Sequence, residues 1–272
     1  MAACATDVDP TPRPAPDLEL LRTATLTVVG RFTDASNATL LVHLGLPGEP
    51  GPPSLQSAGA VDLQDLPADR LAVYKPLQGE APLWDFPAGT LYRREVAAYV
   101  VDRLLGFNMV PDTIVRDNAP YGLGSLQRHM PHDPDHHYFW VVDNLDQRSL
   151  AQVQRMVLFD LIIENADRKG GHVLHGTDGH LWLVDHGVSF HAEAHIRTVA
   201  WNLAGTPVPA ADRGAAARLV ELLAPGAVGH ERLIELLTRD EVAVTRERAR
   251  RAASLEVFPE PRGERPYPWP PL

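Results

Sequence analysis

Cysteine is almost missing from this chain: Cys4 stands alone among 272 residues. No internal disulfide can form, and no cysteine-based metal site can be assembled. Lysine is scarce too, since Lys75 and Lys169 are the only two among 25 basic residues. Arginine fills the remaining basic positions, which singles out these two as places where a compact ammonium matters. Long apolar runs are also lacking. No stretch approaches the roughly 20 apolar residues of a membrane span, and the N-terminus is acidic and proline-rich rather than basic and then apolar. A cytoplasmic protein without integral membrane association is therefore expected. Positive charge is in deficit, with a net charge of -10. This argues against nucleic acid as a partner and against a polybasic surface for anionic lipid. Any anionic ligand must find a local positive site.

The composition is that of a globular chain, 44% hydrophobic and 22% charged, long enough to bury one sizeable core or two lobes. Residues 1–17 are proline-rich and expected to be a disordered tail. Residues 26–32 and 38–44 read as strands joined by a short polar turn containing Ser36 and Asn37, small enough for its amides to face an anion. Residues 46–69 form a Pro/Gly/Ser/Ala-rich insertion, longer than a packed hairpin needs and expected to be mobile. In the strand 70–76, alternation sends Leu71, Val73 and Lys75 to one face and Ala72 and Tyr74 to the other. A lysine in line with apolar residues is costly unless its ammonium finds an anion.

Thr90 is placed to cap a helix over 91–105, whose apolar stripe is Val96, Val100 and Leu104, with Glu95 beside it. Taken alone, Glu95 reads as a solvated helix charge; about 20 residues after a strand lysine it is also a candidate ion-pair partner. Residues 113–116 and 123–127 read as two more strands, which completes an N-terminal unit of about five strands and one helix. The histidine-rich run 129–137 is broken by two prolines and reads best as a polar loop between lobes. Ser149 opens a capping-box pattern for a helix to about residue 164 with an apolar face of Leu150, Val153, Val157, Leu161 and Ile162. Further helices are expected at 210–223, 231–237 and 241–255, ahead of a proline-rich tail, 259–272, that is either packed or mobile.

The helix to 164 delivers the densest chemistry in the chain, ENADRKGGHVLHGTDGHLWLVDHGVSF. Asp167 is followed by Arg168, Lys169 and His172; a turn at Asp178-Gly179 leads into an apolar strand that ends at Asp185-His186-Gly187. Two aspartates at the ends of one hairpin-like unit can converge on one spot, as a metal and a phosphate would require.

Together, DASNATLL (34–41), VYKP (73–76), PLWDFPAGTLYRREVAAY (82–99), NADRKGGHVL (165–174) and LVDHGVSF (183–190) follow the order of parts in a phosphoryl-transfer site. In these pieces the chain resembles the phosphatidylinositol 3- and 4-kinase-like branch of the protein-kinase superfold, and in particular its small actinobacterial members. It is also similar to the HipA-type toxin kinases. The resemblance spans residues 22–256 and implies an α+β, two-lobed protein-kinase-like fold. An antiparallel-sheet N-lobe with one helix (18–130) would precede a mostly helical C-lobe (131–258).

The resemblance further implies an ATP-dependent kinase using Mg²⁺ or Mn²⁺. Ser36 and Asn37 would cover the nucleotide phosphates, Lys75 would pair with them and be oriented by Glu95, and the strand around Gln127 would lie beside the adenine. Asp167 would be the catalytic base, Asp185 a metal ligand, and His172 would occupy the second metal-binding position, where the family usually has Asn. Imidazole suits Mn²⁺ better than Mg²⁺. Lys169 beside the base would neutralise the migrating phosphoryl group. The segment after Gly187 offers His191, His195 and Arg197 but no basic cluster. The expected acceptor is therefore a hydroxyl on a protein, a small polyol or a lipid head group rather than a polyphosphorylated inositol. Two alternatives stand beside this reading: a nucleotide-binding pseudokinase or scaffold, and an AMP transferase on the same fold.

Overall fold

The computed structural model describes residues 18–32, 37–46, 48–49, 51–52, 66–261, 263 and 265–272. The expected tail 1–17, Ser36 and most of the insertion 46–69 lie outside the described residues. A short helix α1 (Leu18–Thr23) precedes strands β1 (Thr25–Arg31), β2 (Leu40–Gly45) and β3 (Leu71–Pro76), helix α2 (Leu91–Leu105), and strands β4 (Thr113–Arg116) and β5 (Gly124–Arg128). The five strands form one sheet in the order β1-β2-β3-β5-β4, antiparallel throughout.

The alternation in β3 has the expected consequence. Ala72 and Tyr74 are fully buried against Leu40, Val42, Leu44 and Leu126, under Leu21 of α1 and Ala24 just after it. Lys75 takes the opposite face, opposite Ser125 in register, and points towards α2.

Thr90 does not cap α2, because its hydroxyl donates to Pro87 O at 2.7 Å. The orphan amide of Tyr92 is satisfied instead by Glu80 Oε1 at 3.0 Å, a carboxylate reaching the positive end of the helix. At its other end α2 stops at Gly106, whose φ of 73° supplies the left-handed C-cap.

The second half of the chain is mainly helical: α3 (Tyr138–Asp143), α4 (Gln147–Ile163), α5 (Ala210–Leu222), α6 (Val228–Ile234) and α7 (Arg239–Ala253). A small hairpin, β6 (Val173–His175) and β7 (Leu181–Leu183), turns through Asp178-Gly179. The main core joins α4 residues Val153, Met156, Phe159 and Ile163 to Leu219 of α5 and Val242 and Ala249 of α7, and Val100, Val101 and Leu105 of α2 share it.

Ser149 is not the N-cap of α4. Asp146 is, with its carboxylate accepting the Ser149 amide at 2.6 Å and the Ser149 hydroxyl accepting the Asp146 amide at 2.9 Å. The helix thus begins earlier than the Ser-to-Gln pattern implied, and Ser149 is its third residue, closing the box. Helix α3 has no counterpart in the sequence reading. The proline-rich run at 265–272 is packed: Pro266 O accepts from the Thr198 amide at 3.1 Å and the Trp201 indole at 2.8 Å, and Pro271 O accepts from the Gly170 amide at 2.8 Å. No helix among the described residues is long and apolar enough to cross a membrane.

Candidate functional site

The stretch from Asn165 to Phe190 closes into a hairpin between the two lobes. Helix α4 ends at Glu164 in the left-handed region, φ 53°, and the chain doubles back at once. Arg168 is the staple. Its side chain is fully buried, grips both oxygens of Asp160 at 2.8 and 2.9 Å, and donates to the carbonyls of His172 and Val184 at 3.2 and 3.0 Å. One guanidinium therefore fixes the loop after α4, the 3-10 turn before β6 and the end of β7 relative to each other. It also donates to His186 Nε2 at 2.8 Å, which makes that nitrogen the acceptor and leaves the proton on Nδ1, towards Glu95. Burial, then the positive charge of Arg168, keeps His186 neutral.

Against this frame three charged groups meet. Lys75 Nζ donates to Asp185 Oδ1 at 2.8 Å and makes a very short contact with Glu95 Oε1. Glu95 is buried, and its other oxygen accepts the His186 amide at 3.0 Å. Burial alone would lower the Lys75 pKa, but Asp185 and then Glu95 override it and hold the ammonium well above its usual range. Desolvation would likewise raise Asp185; the Lys75 ammonium outweighs it and keeps the carboxylate ionised. Asp185 itself sits at φ 58°, a strained conformation for a residue with a side chain, and 44% of that side chain is exposed.

His172 and Asp167 complete the cluster. His172 Nδ1 lies 2.9 Å from Asp167 O, which can only accept, so Nδ1 carries the proton. Its Nε2 lone pair then faces Asp185 Oδ2 at 3.2 Å. Burial pushes the His172 pKa down to about 4, so near neutral pH two acceptors face each other. A cation between them resolves that conflict, and the donor set fits a divalent ion that accepts one imidazole and one carboxylate. Asp167 projects its carboxylate 3.4 Å from Lys169 Nζ, with its amide held by Asn165 Oδ1 at 3.0 Å. Burial pushes the Asp167 pKa up to about 6 against the pull of Lys169, the range in which a carboxylate exchanges protons readily.

The structure thus brings together Lys75, Glu95, Asp167, Lys169, His172 and Asp185. It does not draw Asn37 or Gln127 into the cluster. Asn37 Oδ1 accepts the Ala81 amide at 2.7 Å, which ties the β1–β2 turn to the loop before α2. Gln127 donates to the Thr113 hydroxyl at 2.9 Å within the sheet. The supporting residues Asp160 and Arg94, the latter paired with Glu241 and donating to Ser189 O, were not singled out from sequence. For Asp160 a signal existed: a carboxylate in the apolar stripe of α4 needs a buried cation.

A five-stranded antiparallel sheet carrying α1 and α2, joined to a helical lobe with a sheet lysine held between Glu95 and Asp185, makes an α+β, two-lobed fold. The chain is 38% identical to Protein Rv2133c of Mycobacterium tuberculosis (strain ATCC 25618 / H37Rv) over 276 residues, 90% of this chain and 91% of that protein, and it belongs to the family of that protein. No protein-family model matches it. Among solved structures it is similar to a Helicobacter pylori proinflammatory kinase, CtkA, with 10% identity, a TM-score of 0.49, and coverage of 87% of this chain and 94% of that one.

Proposed function

We propose that the protein is an ATP-dependent kinase that transfers the γ-phosphoryl group to an alcohol hydroxyl on a protein, a small polyol or a lipid head group. The observation that carries this reading is the three-way contact of Lys75 with Glu95 and Asp185, which joins sheet, helix and hairpin at one point. A lysine poised in this way exchanges Asp185 for the oxygens of a polyphosphate while Glu95 keeps its direction. The resemblance to the phosphatidylinositol 3- and 4-kinase-like branch supports the same assignment. The turn bearing Ser36 and Asn37 covers the phosphates, and the strand carrying Gln127 flanks the base.

Asp185 and His172 hold a divalent ion, Mn²⁺ by preference and Mg²⁺ otherwise. When bound, that ion neutralises charge on the phosphate oxygens. Asp167 orients the acceptor hydroxyl and takes its proton as the new O–P bond forms and the bond from the γ-phosphorus to the bridging oxygen breaks, releasing ADP. Lys169, whose ammonium lies beside Asp167, offsets the charge of the group in transit. The work is done in the cytoplasm, on a nucleotide and a hydroxyl acceptor, without nucleic acid.

The test is ATP turnover with Mg²⁺ or Mn²⁺, followed with label on either the α- or the γ-phosphate. Transfer of the γ-label that Asp167→Ala abolishes supports the kinase. Transfer of the α-label identifies an AMP transferase, and nucleotide binding without transfer of either label identifies a pseudokinase or scaffold.

A further inference from the structure

Beyond the phosphate cluster, the segment that follows Asp185-His186-Gly187 contains a second grouping that phosphoryl transfer does not use. His191, Glu193 and His195 alternate along an arch, and one ligand atom from each lies within 4.8 Å of the others. No other trio of His, Cys, Asp or Glu among the described residues converges in this way. The arch is held from outside. Arg248 donates to the carbonyls of His191, Ala192 and Glu193 at 2.8, 3.3 and 3.0 Å, and Glu164 Oε1 accepts the amides of His195 and Ile196 at 2.8 and 2.9 Å. The backbone is therefore fixed before any ligand arrives, which lowers the ordering cost of binding.

We propose that His191, Glu193 and His195 bind a divalent transition-metal ion of the Zn²⁺ class, at a site separate from His172 and Asp185. The two imidazole rings lie 4.0 Å apart between centroids and are tilted by 48°, so they can converge on an ion without stacking flat. His195 Nδ1 is buried and has no hydrogen-bond partner, while its Nε2 lies 3.9 Å from Asp85 Oδ2. That leaves Nδ1 as the nitrogen available to an ion, with a carboxylate on the side of the other nitrogen, close enough to bond it after a small adjustment. The Asp85 side chain is 9% exposed, so the carboxylate is held rather than free to wander.

His191 is the ring that must adjust. Its Nδ1 accepts the Glu193 amide at 3.0 Å and enters the site by exchanging that amide for the ion. Three protein ligands leave one position open, as in zinc sites that also hold water or substrate. Two imidazoles also disfavour Mg²⁺ and Ca²⁺, which take oxygen ligands. Because Asp85 and Phe86 precede α2 while the histidines follow β7, the ion would tie the loop before α2 to the segment beyond the phosphate cluster; Phe86 already meets His191 edge-on at 5.4 Å.

The experiment is titration of the metal-free full chain with Zn²⁺ in the presence of excess Mg²⁺, by calorimetry and with Co²⁺ as a spectroscopic probe. One tight site per chain is expected. Asp185→Asn should leave it intact, Glu193→Gln should weaken it at least about tenfold, Asp85→Asn about 10–100-fold, and the double variant His191→Gln/His195→Gln should abolish it. Glu193 is exposed, so its variant remains informative if the double variant does not fold. The proposal is overturned if the wild type takes up no Zn²⁺ at micromolar concentrations, if Glu193→Gln binds as tightly as the wild type, or if the site disappears in Asp185→Asn.

Discussion

Lys75 Nζ stands 2.8 Å from Asp185 Oδ1, although the two residues lie 110 positions apart and in different lobes. Each neutralises the other, and a polyphosphate with its ion would replace this contact by two better ones: lysine to phosphate, and carboxylate to metal. Lys75→Met is expected to lower ATP turnover by about 10²–10³-fold, the usual loss when one fixed charge is removed from such a site. Steady-state measurement of γ-label transfer checks this.

His172→Asn replaces an imidazole, whose Nε2 lies 3.2 Å from Asp185 Oδ2, by an amide oxygen. Amide oxygen is a better partner for Mg²⁺ than a ring nitrogen. The ratio of Mg²⁺-supported to Mn²⁺-supported turnover should rise in this variant. An unchanged ratio would place His172 outside the metal's coordination.

Asp160→Ala strands the Arg168 guanidinium, which has no exposure to solvent and makes two of its contacts to that carboxylate. Breaking a buried pair from one side costs about 3–5 kcal/mol. A loss of that order in urea denaturation is expected, along with slackening of the loop from Asn165 to His172.

Asp102, wholly buried in α2, accepts the amides of Met109 and Val110 at 3.0 and 3.3 Å and faces Arg103. Burial pushes its pKa up to about 6 despite the pull of Arg103 and those amides. The folded protein keeps a proton there that the unfolded chain releases near pH 4. This contribution to stability is complete below about pH 4 and is lost as the pH rises towards 6. Relative to Asp102→Asn, the wild type should lose about 2–3 kcal/mol of unfolding free energy over that interval, measured by denaturation at each pH.

Much of the fold was legible where one period dominated. The alternation in β3 separated Tyr74 from Lys75, the Asp178-Gly179 turn marked the hairpin, and the apolar face of α4 marked that helix. The order of lysine, glutamate and two aspartates along the chain anticipated which side chains meet. What escaped reading depended on partners far away in sequence. Helix α3, six residues long, has no room to show a period. The start of α2 is capped by Glu80 rather than by its neighbour Thr90, a choice made by the loop that brings Glu80 back. Nothing local to the proline-rich run could indicate that Pro271 would meet Gly170.

Arg94 of α2 is buried, donates to Ser189 O at 2.7 Å, pairs with Glu241 at the start of α7, and lies 4.9 Å over the Phe86 ring. Rotating α2 away would strand that guanidinium, at a cost of several kcal/mol. Glu95 therefore stays turned towards Lys75 whether or not a ligand is present. Under the proposed function, a nucleotide would have to displace Asp185 from Lys75 but would not have to reposition α2.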